Sequence, residues 1–284
     1  MVVLKQFDIL STAKIAAVLY FVVGIVEAII IFVFSGAFAA LFGSSSGITT
    51  GAVGLIATPL IALIVGFFGV AIFAWLYNII AARFGGIQLI LKKNELKRID
   101  PVSAGKIVAI ISAILFFVIG IVLGAIVAAA AGGFGILIGI GIIIIYPIIG
   151  AVCSFIGVAV AALIYNFLAP RMGGIMLYFK KDELQGVGVL SYAKIEAIFS
   201  ALAGLVYGAI FTLIFYFLNA VGSAAQVTGT GASAIPLLVA ELGPYSIIIF
   251  PIIFAVIGFA GAAFTGFVYN KLAERMGGAR LDLR

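Results

Sequence analysis

Four stretches of this chain carry no charge at all: Ala28 to Ala82, Ile107 to Pro170, Ala197 to Ala240 and Leu242 to Asn270. About 20 consecutive apolar residues suffice for a helix to cross the hydrocarbon of a bilayer. The first two stretches are therefore long enough for two crossings or most of two. Composition agrees, with 65% of residues hydrophobic and 9% charged, against roughly 45–50% and 25% in a water-soluble domain. No soluble fold hides that much apolar surface. Lipid must be the solvent for most of it.

Glycine- and serine-rich segments interrupt the apolar runs at Gly43–Gly54, Ala130–Gly135 and Gly222–Ala234, the composition of turns. The runs between them read as six membrane helices, near residues 12–41, 55–84, 104–130, 136–172, 192–219 and 244–276. All 16 lysines and arginines fall at the chain ends or near the loops at 85–103 and 173–191, which lie on one side. The positive-inside rule makes that side cytoplasmic, with both termini. Of the ten acids, Glu27 and Glu241 lie elsewhere, so 16 cations face eight acids, a net +8. Such a surface attracts anionic lipid headgroups. The first helix has no small-residue cleavage site behind a short apolar stretch, so it reads as a span rather than a cleaved signal. The lone cysteine, Cys153, excludes an internal disulfide.

Internal repetition is the strongest organising signal. The second, fourth and sixth helices end in Tyr77-Asn78, Tyr165-Asn166 and Tyr269-Asn270, each continuing as Y-N-x-x-A-x-R-x-G-G with Arg83, Arg171 or Arg275. A proline stands 18 residues before each tyrosine (Pro59, Pro147, Pro251) and a glycine eight before (Gly69, Gly157, Gly261). The first, third and fifth helices open with Ser-x-x-Lys-Ile, carrying Lys14, Lys106 and Lys194. This divides the chain into repeats at 1–93, 94–181 and 182–284. Because each repeat holds two spans, all enter from the same face. Parallel repeats are related by an axis along the membrane normal, so the expected fold is an all-α polytopic membrane protein. Its six transmembrane helices would form three parallel two-helix repeats around a pseudo-threefold axis.

Local chemistry fills in the unit. Serine suits a helix cap, paired glycines end a helix through a left-handed residue, and the arginines sit in the last turn, where the dipole favours cations. After each Gly-Gly comes an alternating stretch, 87–92, 175–180 or 279–283, with the period of a strand. The first two run through Lys-Lys-Asn-Glu-Leu and Lys-Lys-Asp-Glu-Leu into a second short strand, giving cytoplasmic β-hairpins. The last has no such partner, and neither does the segment Val2–Ile9, so the two chain termini are expected to pair and close a small sheet.

The run Arg98-Ile99-Asp100-Pro101-Val102-Ser103-x-x-Lys106, two spans, and Tyr165-Asn166-x-x-Ala169 with Gly173-Gly174-Ile175 resembles a bacterial family of small two-helix transmembrane domains of unknown function. Members of that family have D-P-x-S-x-x-K before the first span and Y-N-x-x-A-x-x-x-G-G-[IV]-x-[VL] after the second. The middle repeat matches best. In the third, Gly188 replaces the aspartate and Ala279 the aliphatic residue after Gly-Gly. The resemblance implies a two-helix fold unit, here fused three times, and implies neither catalytic residues nor a substrate.

Candidate sites follow from the few polar residues. Glu27 lies deep in the first span, and an intramembrane carboxylate suggests a proton carrier or cation ligand; a hydrogen-bonded or interfacial side chain is the plainer reading. Pro59, Pro147, Pro251, Gly69, Gly157 and Gly261 read as one stripe with Gly66, which at about 100° per residue returns to within about 20° of Pro59, and Gly258, which repeats its offset; the stripe is either a kinked pore wall or a line where helices pack closely. The packing line is favoured because the stripe carries almost nothing polar. Asn78, Asn166 and Asn270 with the three lysines and three arginines form a candidate collar for lipid headgroups or a partner at the cytoplasmic mouth. Lysines in a first helical turn oppose the dipole and call for a lipid phosphate, Asp8, Asp100 or a partner's acid nearby. No metal cluster, nucleophile–base pair or phosphate loop is evident, so neither enzyme activity nor a cofactor nor nucleic-acid binding is expected. Two functions remain: a membrane scaffold presenting a basic sheet to anionic lipids or a membrane-protein complex, or a channel or carrier along the axis or around Glu27.

Overall fold

The computed structural model of the protein describes residues 1–42, 46–130, 132–227 and 243–284. Its described elements run β1 (Val2–Phe7), α1 (Ile9–Phe42), α2 (Ser46–Phe84), β2 (Ile87–Lys92), β3 (Glu95–Ile99), α3 (Pro101–Ala130), α4 (Gly132–Met172), β4 (Leu177–Lys180), β5 (Glu183–Val187), α5 (Val189–Val227), a 3-10 turn (Gly243–Tyr245), α6 (Ser246–Met276) and β6 (Ala279–Leu283). All six helices are long and apolar enough to cross a membrane. The 41 residues of α4, at ~1.5 Å each, reach roughly twice the ~30 Å hydrocarbon core. Glu241 and most of the third glycine-rich break lie outside the described residues.

The first five helices begin earlier and run longer than composition suggests, whereas the sixth begins at Ser246 rather than 244. In α1 and α3 the cause is the cap. Asp8 and Asp100 accept the backbone N–H of Ser11 and Ser103, each at 2.7 Å, so the aspartates are the N-caps and the serines already lie inside the first turn. This corrects the expectation of serine caps. The described parts of the first two breaks are also helical: α2 begins at Ser46 and α4 at Gly132. Apolar surroundings offer backbone groups no water partners, so a glycine-rich segment there satisfies itself by continuing the helix.

Two compact units make up the chain. One comprises residues 1–188 and 267–284, the other residues 189–266. In the first, α1 packs on α2 and α3 on α4. Glycines let the backbones approach: a methyl group at Gly124 or Gly139 would strike the other's carbonyl, and one at Gly24 would meet Pro59 and Ala62. In the second unit Gly204 and Gly208 play the same part against Phe250 and Ser246. The buried Ser246 hydroxyl is bonded to the carbonyl oxygens of Gly208 (3.1 Å) and Gly243 (2.7 Å).

The strands all belong to the first unit and form one antiparallel sheet in the order β3-β2-β1-β6-β5-β4. β2 turns into β3 through Lys93 and Asn94, both at positive φ, as a two-residue hairpin turn requires. The first and last strands pair, with Leu4 opposite Leu283, and Val3 N–H donates to the Arg284 carbonyl. At the other end of the order, Glu95 bridges Met176, and Leu96 N–H donates to the Ile175 carbonyl at 2.9 Å. The sheet's bonds thus return from its last strand to its first, which removes an open edge. Leu4 belongs to a buried cluster with Leu76, Tyr77, Ile80, Ala81, Ile107 and Ile111, and Phe7, Ile87, Leu89, Leu281 and Leu283 pack on it. The sheet's apolar side therefore rests on the helix ends.

Candidate functional site

The chemistry that recurs in the sequence converges where helices meet sheet. Tyr77, Tyr165 and Tyr269 each donate a hydroxyl hydrogen bond to a strand carbonyl: Leu4 (2.5 Å), Leu96 (2.5 Å) and Leu184 (2.7 Å). The same oxygens accept the N–H of Ile87 (3.1 Å), Ile175 (3.0 Å) and Ala279 (3.3 Å). One phenol thus bridges the strand that enters a helix pair and the strand that leaves it. The neighbouring asparagine adds a second clasp. Asn78, Asn166 and Asn270 accept the N–H and donate to the carbonyl of Phe7, Ile99 and Val187, at 2.8–2.9 Å throughout. A primary amide presents a donor and an acceptor side by side, so it pairs with a strand residue much as another strand does.

The paired glycines have separate duties. Gly85, Gly173 and Gly277 adopt φ of +80°, +82° and +81°, the left-handed turn that ends a helix and suits glycine. Gly86, Gly174 and Gly278 lie against the strand, where an added methyl group would fall on the carbonyl oxygen of Leu4, Leu96 and Leu184. Serine completes the joint: Ser103 Oγ accepts Gln88 N–H at 3.0 Å, and Ser11 Oγ accepts Arg280 N–H at 3.2 Å.

The nine collar residues therefore divide. The asparagines are engaged with strand backbone. Lys14, Lys106, Lys194, Arg83, Arg171 and Arg275 are exposed. Lys106 sits 5.3 Å from the centre of the Phe84 ring; Arg171 stacks on Phe167 at 3.6 Å and donates to its carbonyl. Lys14 has the acid its place in the first turn calls for. It shares a cleft of about 340 Å³ with Asp8, Glu183 and Arg280. The N–H and hydroxyl of Ser11, with Arg280 and Lys14 nearby, hold the Asp8 carboxyl below its ordinary range. Glu95 is likewise lowered, by Lys97 and by the N–H of Gly174.

The proposed packing stripe needs correction. Pro59 is buried, and Pro147 and Pro251 are half-buried. Gly69, Gly157 and Gly261 are exposed, and among the described residues a methyl group at any of them would meet nothing within 4 Å, so none is a close-packing position within its own helix pair. Gly66 and Gly258, three residues nearer the prolines, lie against Tyr20 and Ser200. A helix turns about 100° per residue, so that shift moves a glycine from the outer face towards the neighbour. Glu27 is exposed on α1.

Comparison of the chain with protein-family models, with curated proteins and with solved structures returns no match.

Proposed function

We propose that the protein is a non-enzymatic integral membrane scaffold, whose basic cytoplasmic sheet docks anionic lipid headgroups or a membrane-protein partner. In this reading the helix pairs are three parallel repeats about a pseudo-threefold axis, and both termini face the cytoplasm. One observation supports it: the repeated polar residues at the helix–sheet joint are spent on holding strands, while Lys14, Arg83, Lys106, Arg171 and Arg275 are exposed. Tyr77, Asn78, Gly86 and their counterparts build a rigid platform and leave no polar constellation for chemistry among them. Juxtamembrane lysines and arginines each add about 1 kcal/mol of attraction to an anionic leaflet, and all 16 cations of this chain stand outside the four charge-free stretches. The resemblance to the two-helix family supports the unit and rests on its motif.

The test is lipid retention. The protein, reconstituted into nanodiscs of mixed phosphatidylcholine and phosphatidylglycerol, is expected to enrich phosphatidylglycerol around it. Reversing Lys14, Lys106 and Lys194 to glutamate is expected to reduce that enrichment. Proteoliposomes are expected to pass no ion or small solute above background. A flux removed by Glu27→Gln would replace the scaffold with a carrier.

A further inference from the structure

The three joints differ at one position. Where β3 meets α4, Glu95 Oε1 accepts the N–H of Gly174 and the ammonium of Lys97, both at 2.6 Å. Where β5 meets α6, Glu183 Oε1 accepts the N–H of Gly278 at 2.5 Å and the amide of Gln185 at 2.9 Å. The leucines that receive the tyrosine hydroxyls set the equivalence. Before them stand Val3, Glu95 and Glu183, and after them Lys5, Lys97 and Gln185. The joint of β1 with α2 therefore keeps both donors, the Gly86 N–H and Lys5, but has an isopropyl group where the others have a carboxylate. Gly86 is buried, and its N–H has no acceptor among the described residues. Buried backbone N–H groups without an acceptor are rare in folded proteins.

A cavity of about 480 Å³ opens at this place, lined by Gly86, Val3, Lys5 and Arg284, and also by Ala81 and Ala82 at the end of the α2 span. Arg284 is bonded to Asp282 at 3.1 Å through one of its nitrogens and has further donors. Lys5 and Arg284 thus bring side-chain donors to the lining, beside the carboxylate of Asp282. We propose that this joint binds the phosphate of an anionic phospholipid, whose oxygen takes at Gly86 and Lys5 the role of Glu95 and Glu183 elsewhere. A phosphate oxygen is acceptor-only, as a carboxylate oxygen is, and a hydrogen bond between ions is the stronger kind. Ala81 and Ala82 lie in the last turn of a helix long and apolar enough to cross a membrane, so the cavity adjoins the end of a span, where lipid headgroups begin. The assignment rests on the membrane-surface reading above and names one site within it.

Thermal unfolding of the full chain in an uncharged detergent tests it, with short-chain phosphatidylglycerol, short-chain phosphatidylcholine or inorganic phosphate as probes. Phosphatidylglycerol is expected to raise the Tm of the wild type by several degrees. Val3→Glu supplies the carboxylate from within, so it is expected to raise the Tm without lipid and to remove the lipid's shift. Lys5→Gln, an exposed substitution that leaves the fold intact, is expected to shrink the shift several-fold and decides the matter should Val3→Glu fail to fold. Equal shifts with inorganic phosphate at the same concentration would keep the anion site and overturn its assignment to lipid. Shifts unchanged in Lys5→Gln and Val3→Glu would overturn the site. If those variants also still enrich phosphatidylglycerol in nanodiscs, the scaffold reading survives that failure, whereas a wild type that enriches none loses both.

Discussion

The hydroxyl of Tyr165 donates to the carbonyl oxygen of Leu96, 69 residues away in the chain, at 2.5 Å, and accepts the N–H of Ile175 at 3.0 Å. Tyr165→Phe would leave both backbone groups buried without that partner. A buried group so abandoned costs about 1–3 kcal/mol. A loss of that order is expected in SDS-induced unfolding of the solubilised protein, with a similar loss for Tyr77→Phe.

The glycine pair should respond asymmetrically. Gly174→Ala drives a methyl group onto the Leu96 carbonyl, and overpacking of this kind costs about 1–3 kcal/mol or more. Gly173→Ala forces a side chain into left-handed backbone, at roughly 1–2 kcal/mol. Gly157→Ala meets nothing and gains helix propensity, so it is expected to stabilise by about 0.5–1 kcal/mol. The three unfolding curves, compared in one detergent, check the order.

Glu95 makes stability depend on acid. Its carboxyl is lowered from an ordinary value of 4.5, chiefly by Lys97 and then by Gly174 N–H. A depressed folded value means that the contribution is complete above 4.5 and is lost as pH falls through the lower, folded value. Thermal unfolding between pH 6 and pH 3 should show the wild type losing stability below about pH 4.5. Glu95→Gln should start lower and fall less steeply.

Orientation can be read by labelling. With Cys153 replaced by serine, single cysteines at Lys93 and Lys181, in the two hairpin turns, are expected to react with an impermeant maleimide in inside-out vesicles alone. Reaction of one from each side would overturn the parallel arrangement of the helix pairs.

Residue identity was easier to read than residue partnership. The apolar runs located six long helices because hydrophobicity is a local property, and the first glycine of each pair marked a helix end for the same reason. What Tyr77, Asn78 and Gly86 touch depends on strand β1, some 70 residues earlier, and nothing local encodes that separation. The asparagines therefore read as a collar when they are clasps. Ser11 and Ser103 read as caps because serine is a common cap, yet Asp8 and Asp100 three residues before them compete better for the same N–H groups. The glycine stripe misled by its regularity: Gly69, Gly157 and Gly261 recur, but only contact with a neighbour distinguishes a packing position from its exposed counterpart.

The hydrogen bonds between Val3 and Arg284 join the first described strand to the last. Until β6 is synthesised, β1 lacks one of its two neighbours, and the ring cannot finish before the sixth helix has been inserted. A chain stalled or truncated in its final span would leave the facing edge of β1 unpaired.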